Sequence, residues 1–121
     1  MNAPSPSPSS SGSERLIARV WHGSTRQDDA ERYAAYLART GLHDCRATAG
    51  NRGVYVLRRV RNDRAEFTFV SLWESLDAIR RFAGEDYEKA RYYPEDRKYL
   101  LELEPFVEHY EVVARDFPRP G

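Results

Sequence analysis

Arg19, His109 and Glu111 are the residues of this chain whose types and spacing best suit chemistry. Each lies at an odd position of an apolar run, so strand alternation would put them on one face with their aromatic neighbours. A histidine that titrates near neutrality is a natural general base, and a glutamate two residues along the same face can orient it. An arginine keeps its charge and can hold a developing anion. The same three residues also admit a structural reading, with Arg19 and Glu111 as a salt bridge and His109 as a satisfied interface histidine. His22 ends the first apolar run at "WHGS", where a side chain either lines a pocket mouth or bonds the backbone of a turn. His43 has no evident partner. The single Cys45, in the polar stretch "GLHDCRATAGNRG", is expected to be a surface or half-buried thiol. No zinc-ligand spacing, Gly-rich phosphate loop or Ser-His-Asp pattern is visible, so neither a metal nor another cofactor is expected.

The elements that must position these residues follow from periodicity and punctuation. Residues 16–22, "LIARVWH", predict a strand bounded by Gly23. Ser24 and Gln27 then form a capping box, with Ala30, Tyr33, Ala34 and Leu37 at helical spacing and Gly41 as the stop. Residues 54–60 and 66–73 predict a hairpin around the turn cluster "RNDR". Ser75 caps a helix carrying Leu76, Ile79 and Phe82, ended by Gly84. A further helix is expected from Pro94 to Pro105, and a last strand over 106–114. Strand, helix, strand, strand, helix, helix, strand is an α+β pattern. It implies a ferredoxin-like βαββαβ fold with an extra helix before the last strand. Its four-stranded antiparallel sheet would place the first and third strands in the middle and pair the fourth with the first.

Parity divides the strands into two faces. Leu16, Ala18, Val20, Val54, Val56, Val70, Leu72, Tyr110 and Val112 form an aliphatic set expected to face the helices. The opposite set, including Ile17, Arg19, Trp21, Tyr55, Leu57, Phe67, Phe69, Ser71, Trp73, His109 and Glu111, is aromatic with scattered polar groups. An aromatic face left bare by the helices would bind something, either a small molecule in a half-enclosed pocket or a second copy of the chain. Both readings stay open, and a symmetric homodimer serves either.

With 121 residues, one domain over residues 15–115 is expected, after a disordered Pro/Ser-rich tail over 1–14 and before a frayed tail over 116–121. Acids and bases balance at 19 each, which argues against nucleic acid or an anionic membrane as partner. The beginning carries no apolar segment of a secretory signal, and no run is long enough to span a bilayer, so the cytoplasm is the expected location. The stretch "FAGEDYEKARYYPEDRKYL" is a charged connector in which Tyr92 and Tyr93, just before Pro94, are expected to reach a ligand or a dimer partner.

"SLWESLDAIRRF" (71–82), a strand ending in Trp73 followed by the Ser75 cap and the Ala78–Ile79 pair, resembles the antibiotic biosynthesis monooxygenase family. The element order and the closing "PFVEHYEV" agree with it, over roughly residues 15–115. The resemblance implies a homodimeric α/β barrel with a pocket in each subunit. Some members are cofactor-independent monooxygenases of polycyclic phenols, and others degrade haem. The haem-degrading members use a first-strand Asn and a helical His beside the Trp, and only Trp73 is present here. In a cofactor-free oxygenase an electron-rich phenol is deprotonated and its phenolate passes an electron to dioxygen. His109 as base, Arg19 as cation and Trp73 would then be catalytic. Trp21, Tyr55, Phe69, Ser71, Glu111, His22, Tyr92 and Tyr93 would bind the small aromatic substrate. A non-catalytic binding module on the same barrel, and a haem enzyme with His109 as axial ligand, are the alternatives.

Overall fold

The computed structural model describes residues 15–116. The expected tail over 1–14, and the expected frayed end beyond residue 116, lie outside the described residues. The strands are β1 (Ile17–Arg26), β2 (Asn51–Arg61), β3 (Arg64–Trp73) and β4 (Glu108–Glu111). The helices are α1 (Ala30–Leu37), α2 (His43–Ala47), α3 (Leu76–Ala83) and the single turn α4 (Asp96–Tyr99). The sheet order β2-β3-β1-β4, antiparallel throughout, is the α+β ferredoxin-like arrangement. Among the described residues no helix is long and apolar enough to cross a membrane.

Local chemistry explains most boundaries. Asn62 and Asp63 both take positive φ, 53° and 67°, which gives the two-residue turn that a right-twisted hairpin needs. Ser75 is extended, and its hydroxyl accepts a hydrogen bond from the Ala78 N–H at 3.1 Å, a cap worth about 1 kcal/mol. Gly84 closes α3 with a φ of 90°. The expected Ser24 cap does not form, because β1 runs on to Arg26 and a 3₁₀ turn at Gln27–Asp29 leads into α1. Gly23 therefore lies inside the strand, where the Trp21 indole lies across it and a Cβ would sit 2.2 Å from the ring. Nor does Gly41 stop a helix. The chain continues through the wide turn Ala38–Leu42 into α2, which buries Cys45 completely rather than leaving it at the surface. The helix expected from Pro94 shrinks to α4. The chain beyond it is extended, with Leu100 bridging Thr25 and Phe106 bridging Lys89.

The faces are the main correction. Helices cover the aromatic set: Ala65, Phe67, Phe69, Ser71 and Trp73 alternate as buried residues of β3, against Tyr33, Tyr36 and Leu37 of α1 and Ile79 of α3. The aliphatic Ala18, Val20, Val70 and Leu72 are left on the uncovered face. The aromatic core succeeds because tyrosine rings from α1 interlock with it; Tyr33 meets Phe67 edge-on at 5.2 Å. β2 alone keeps its expected orientation, out of step with the other strands. The two-residue turn pairs Val54 with Ser71 and Tyr55 with Val70, so Val54 and Val56 pack under the helices as expected, and Tyr55 and Leu57 lie on the uncovered face.

Candidate functional site

Beneath the helices is a small cavity of about 50 Å³, walled by Arg19 and Trp21 of β1, Phe69 and Ser71 of β3, Tyr33 and Leu37 of α1, and Phe82 of α3. Residues 91–96 close it as a strap, with Arg91, Tyr92, Tyr93 and Asp96 facing inward. A cavity of this size holds a diatomic gas or one or two waters.

Arg19 is the chemical centre of the cavity. It is only 4% exposed, and burial lowers its pKa to about 10, so it stays charged at neutral pH. Its guanidinium donates to the carbonyl oxygens of Tyr87 and, at 3.1 Å, Lys89, and to Nε2 of His109 at 3.1 Å. Among the described residues no carboxylate pairs with it. Backbone carbonyls and the imidazole satisfy the buried charge without neutralising it, beside a cavity walled largely by aromatic rings with Asp96 on the strap side. Phe82 lies 5.9 Å below the guanidinium and 4.7 Å from that of Arg91.

His109 pairs with Arg19 across β1 and β4 but does not wall the cavity. An arginine is donor-only, so His109 meets it as a neutral ring with Nε2 accepting. Tyr87 stands edge-on to the ring at 5.4 Å. Burial first, and then the Arg19 charge, hold the His109 pKa below its ordinary value. The unfolded chain therefore takes up this proton first as pH falls. The stability contribution is full above the ordinary value of about 6.5 and declines between there and the lower folded-state value. The melting temperature of the wild type should fall through that window, and His109→Gln should flatten the fall. Equal pH profiles for the two proteins would contradict this.

The other expected residues divide between four places. Trp21, Phe69, Ser71, Tyr92 and Tyr93 join Arg19 at the cavity. Trp73 is fully buried behind it, donating from Nε1 to Ser71 Oγ at 2.8 Å. Ser71 also hydrogen-bonds the Cys45 thiol, whose pKa burial pushes up to about 12, so this thiol stays protonated. Glu111 is exposed and pairs with Arg15 rather than Arg19. His22 lies on the uncovered face, 3.3 Å from Thr68 Oγ1, in an open groove with Leu57, Arg59 and Glu104. Tyr55 is on that face too.

The strap is tied down by side chains. Trp21 Nε1 donates to the Tyr92 hydroxyl at 3.1 Å, which donates to the Glu104 carbonyl at 2.6 Å. Tyr93 Oη donates to Asp44 at 2.7 Å, which lowers the Asp44 pKa. Asp96 is 4% exposed and accepts from the Tyr33 hydroxyl at 2.8 Å and the Tyr93 N–H at 2.6 Å. Burial raises its pKa. Asp96, Tyr33, Phe82 and Arg91 are cavity residues that the sequence reading did not single out. Asp96 looked like an ordinary first-turn helix acid, and the hydroxyl of Tyr33 on an apolar stripe was the only available signal. Among the described residues no cluster of His, Cys, Asp and Glu could hold a metal ion.

No family model matches the sequence, and no curated protein does. Solved structures do match. A Bacillus cereus protein provisionally described as an antibiotic biosynthesis monooxygenase aligns over 87% of this chain and 99% of its own, with 15% identity and a TM-score of 0.56. A Nitrosomonas europaea protein of unknown function aligns over 88% of this chain and 97% of its own, with 14% identity and a TM-score of 0.60. SnoaB from Streptomyces nogalater, a cofactor-independent oxygenase, aligns over 87% of this chain and 97% of its own, at 15% identity and a TM-score of 0.50. The fold is thus that of antibiotic biosynthesis monooxygenase structures, in agreement with the resemblance carried by residues 71–82.

Proposed function

We propose that the chain is a cofactor-independent monooxygenase of a small aromatic, phenolic molecule, bound at the Arg19 cavity. The observation that carries this reading is the buried guanidinium, whose hydrogen-bond partners among the described residues are two backbone carbonyls and an imidazole, set among aromatic rings. Such a group favours a ligand that becomes an anion, and phenolate is the anion that suits aromatic walls. The fold shared with SnoaB supports it. Arg19 holds the phenolate, Trp21, Phe69 and Phe82 orient its rings, and His109 fixes the Arg19 guanidinium from behind. Dioxygen is the oxidant, reduced by the phenolate.

The cavity of about 50 Å³ is far smaller than the roughly 300 Å³ that drug-sized ligands occupy, so entry requires the strap to lift. That is feasible because side-chain hydrogen bonds and one turn of helix hold residues 91–96, without a sheet ladder. Oxygen uptake with a dihydroxyanthrone, measured polarographically with the purified chain, tests the reading; uptake no faster than in buffer would refute it. A thermal shift with the same phenol but no uptake would make this a binding module. The haem alternative is disfavoured because His109 Nε2 already faces Arg19 at 3.1 Å.

A second copy covering the uncovered sheet face completes the proposal. Tyr55, Leu57 and Tyr110 are 47%, 53% and 52% exposed there, beside Ala18, Val20, Val70 and Leu72. A continuous apolar face of this kind is unusual on a monomer. Light scattering should give twice the chain mass for the wild type, and the chain mass for Leu57→Asp/Tyr110→Asp. A monomeric wild type would exclude the dimer.

A further inference from the structure

A cavity that holds a phenolate needs a group to take the phenolic proton, and His109 is badly placed to do so. Its Nε2 is engaged with Arg19, and its ring lies outside the cavity wall. We propose that Asp96 is the general base of this site, with Tyr33 and Tyr93 holding its carboxylate towards the ligand. The inference rests on the phenol-oxygenase reading of the Arg19 cavity and adds a catalytic residue to it.

Four observations support the assignment. Asp96 walls the same cavity as Arg19 and is 4% exposed. Its two oxygens each accept one hydrogen bond, Oδ1 from the Tyr33 hydroxyl and Oδ2 from the Tyr93 N–H, so each keeps a lone pair for a ligand hydroxyl. Both donors are neutral, and among the described residues no cation forms an ion pair with the carboxylate. It is therefore oriented without being quenched. Burial raises its affinity for a proton, which narrows the gap to a phenol.

The groups facing Asp96 come from several elements. α1 supplies Tyr33, the strap supplies Arg91, Tyr92 and Tyr93, and β1 supplies Arg19 across the cavity. The proton transfer balances within this set. The phenol O–H bond breaks, an O–H bond forms on the Asp96 carboxylate, and the electron pair of the broken bond remains on the phenolate oxygen. One negative charge moves from Asp96 towards Arg19, and the net charge of the cavity does not change. No ion has to enter or leave the closed site.

The test is the pH dependence of oxygen uptake with a dihydroxyanthrone, for the full-length wild type, Asp96→Asn and Tyr33→Phe, with the fold of each checked by circular dichroism. Asp96→Asn should lower kcat about 100-fold at pH values where the free probe is un-ionised. The deficit should shrink as pH rises through the probe's own ionisation, because the phenolate then arrives already deprotonated. Tyr33→Phe keeps the base but removes a donor that favours its ionised form, so the acid limb should move to higher pH with the plateau retained. A folded Asp96→Asn protein with wild-type turnover, or a deficit equal at every pH, would overturn the assignment. If Asp96→Asn does not fold, an unmoved acid limb in Tyr33→Phe overturns it. Absence of uptake by the wild type removes the phenol-oxygenase reading and this inference together, whereas uptake insensitive to Asp96 removes the inference alone.

Discussion

Arg19→Met should lower oxygen uptake with a phenolic substrate by about 100–1000-fold, the usual loss when one donor to a developing oxyanion is removed. Methionine keeps the length and apolar body of the side chain but supplies no charge. The guanidinium is 4% exposed and borders a largely aromatic cavity away from bulk water, where a charge acts more strongly than in water. The variant also releases the Tyr87 and Lys89 carbonyls and His109 Nε2, so some loss of stability accompanies it. Arg19→Lys separates the two effects. A lysine restores one positive charge but not the three-way hydrogen bonding, so it should fold better than Arg19→Met and recover only part of the rate. If Arg19→Met is as active as the wild type, the cavity is not the site of the reaction.

Trp73→Ala should destabilise the fold by about 3–5 kcal/mol, the range for truncating a buried aromatic residue. For a domain of this size that corresponds to a fall in melting temperature of roughly 12–40 °C. The indole is fully buried, lies 5.8 Å from the Phe82 ring, and anchors Ser71 through its N–H. Its loss opens a hole under α3 and removes the hydrogen bond that Ser71 Oγ accepts from the indole. Trp73→Phe should cost much less, since most of the ring volume remains. If Trp73 instead acts on the substrate directly, Trp73→Phe would lose turnover while staying folded. Its position outside the cavity wall argues for retained turnover in that variant.

Much of the fold was legible because its signals are local. The β3 run "EFTFVSLW" alternates, Ser75 and Gly84 bracket α3, and Asn62–Asp63 makes the hairpin turn. What failed depended on contacts distant in sequence. Gly23 and Gly41 resembled stops, yet one is covered by Trp21 and the other lies in a helical path that tertiary packing prolongs. The helix expected after Pro94 gave way to extended chain because Leu100 and Leu101 bond to β1 instead. Glu111 shares the parity of Arg19, but β4 ends there and the carboxylate turns out to Arg15.

By itself the sequence determined the order of the elements, the central places of β1 and β3, and the grouping of Arg19, Trp21, Phe69, Ser71 and His109 on one face. Alternation along a strand is a property of the backbone, so those relations need no knowledge of what packs above. Which face the helices cover was decided only by tertiary structure. An arginine in a covered face is tolerable only if donors and acceptors meet there, and its acceptors come from Tyr87, Lys89 and His109, about 70 to 90 residues away along the chain. The same is true of Asp96, an unremarkable helix acid until Tyr33 and the strap close around it.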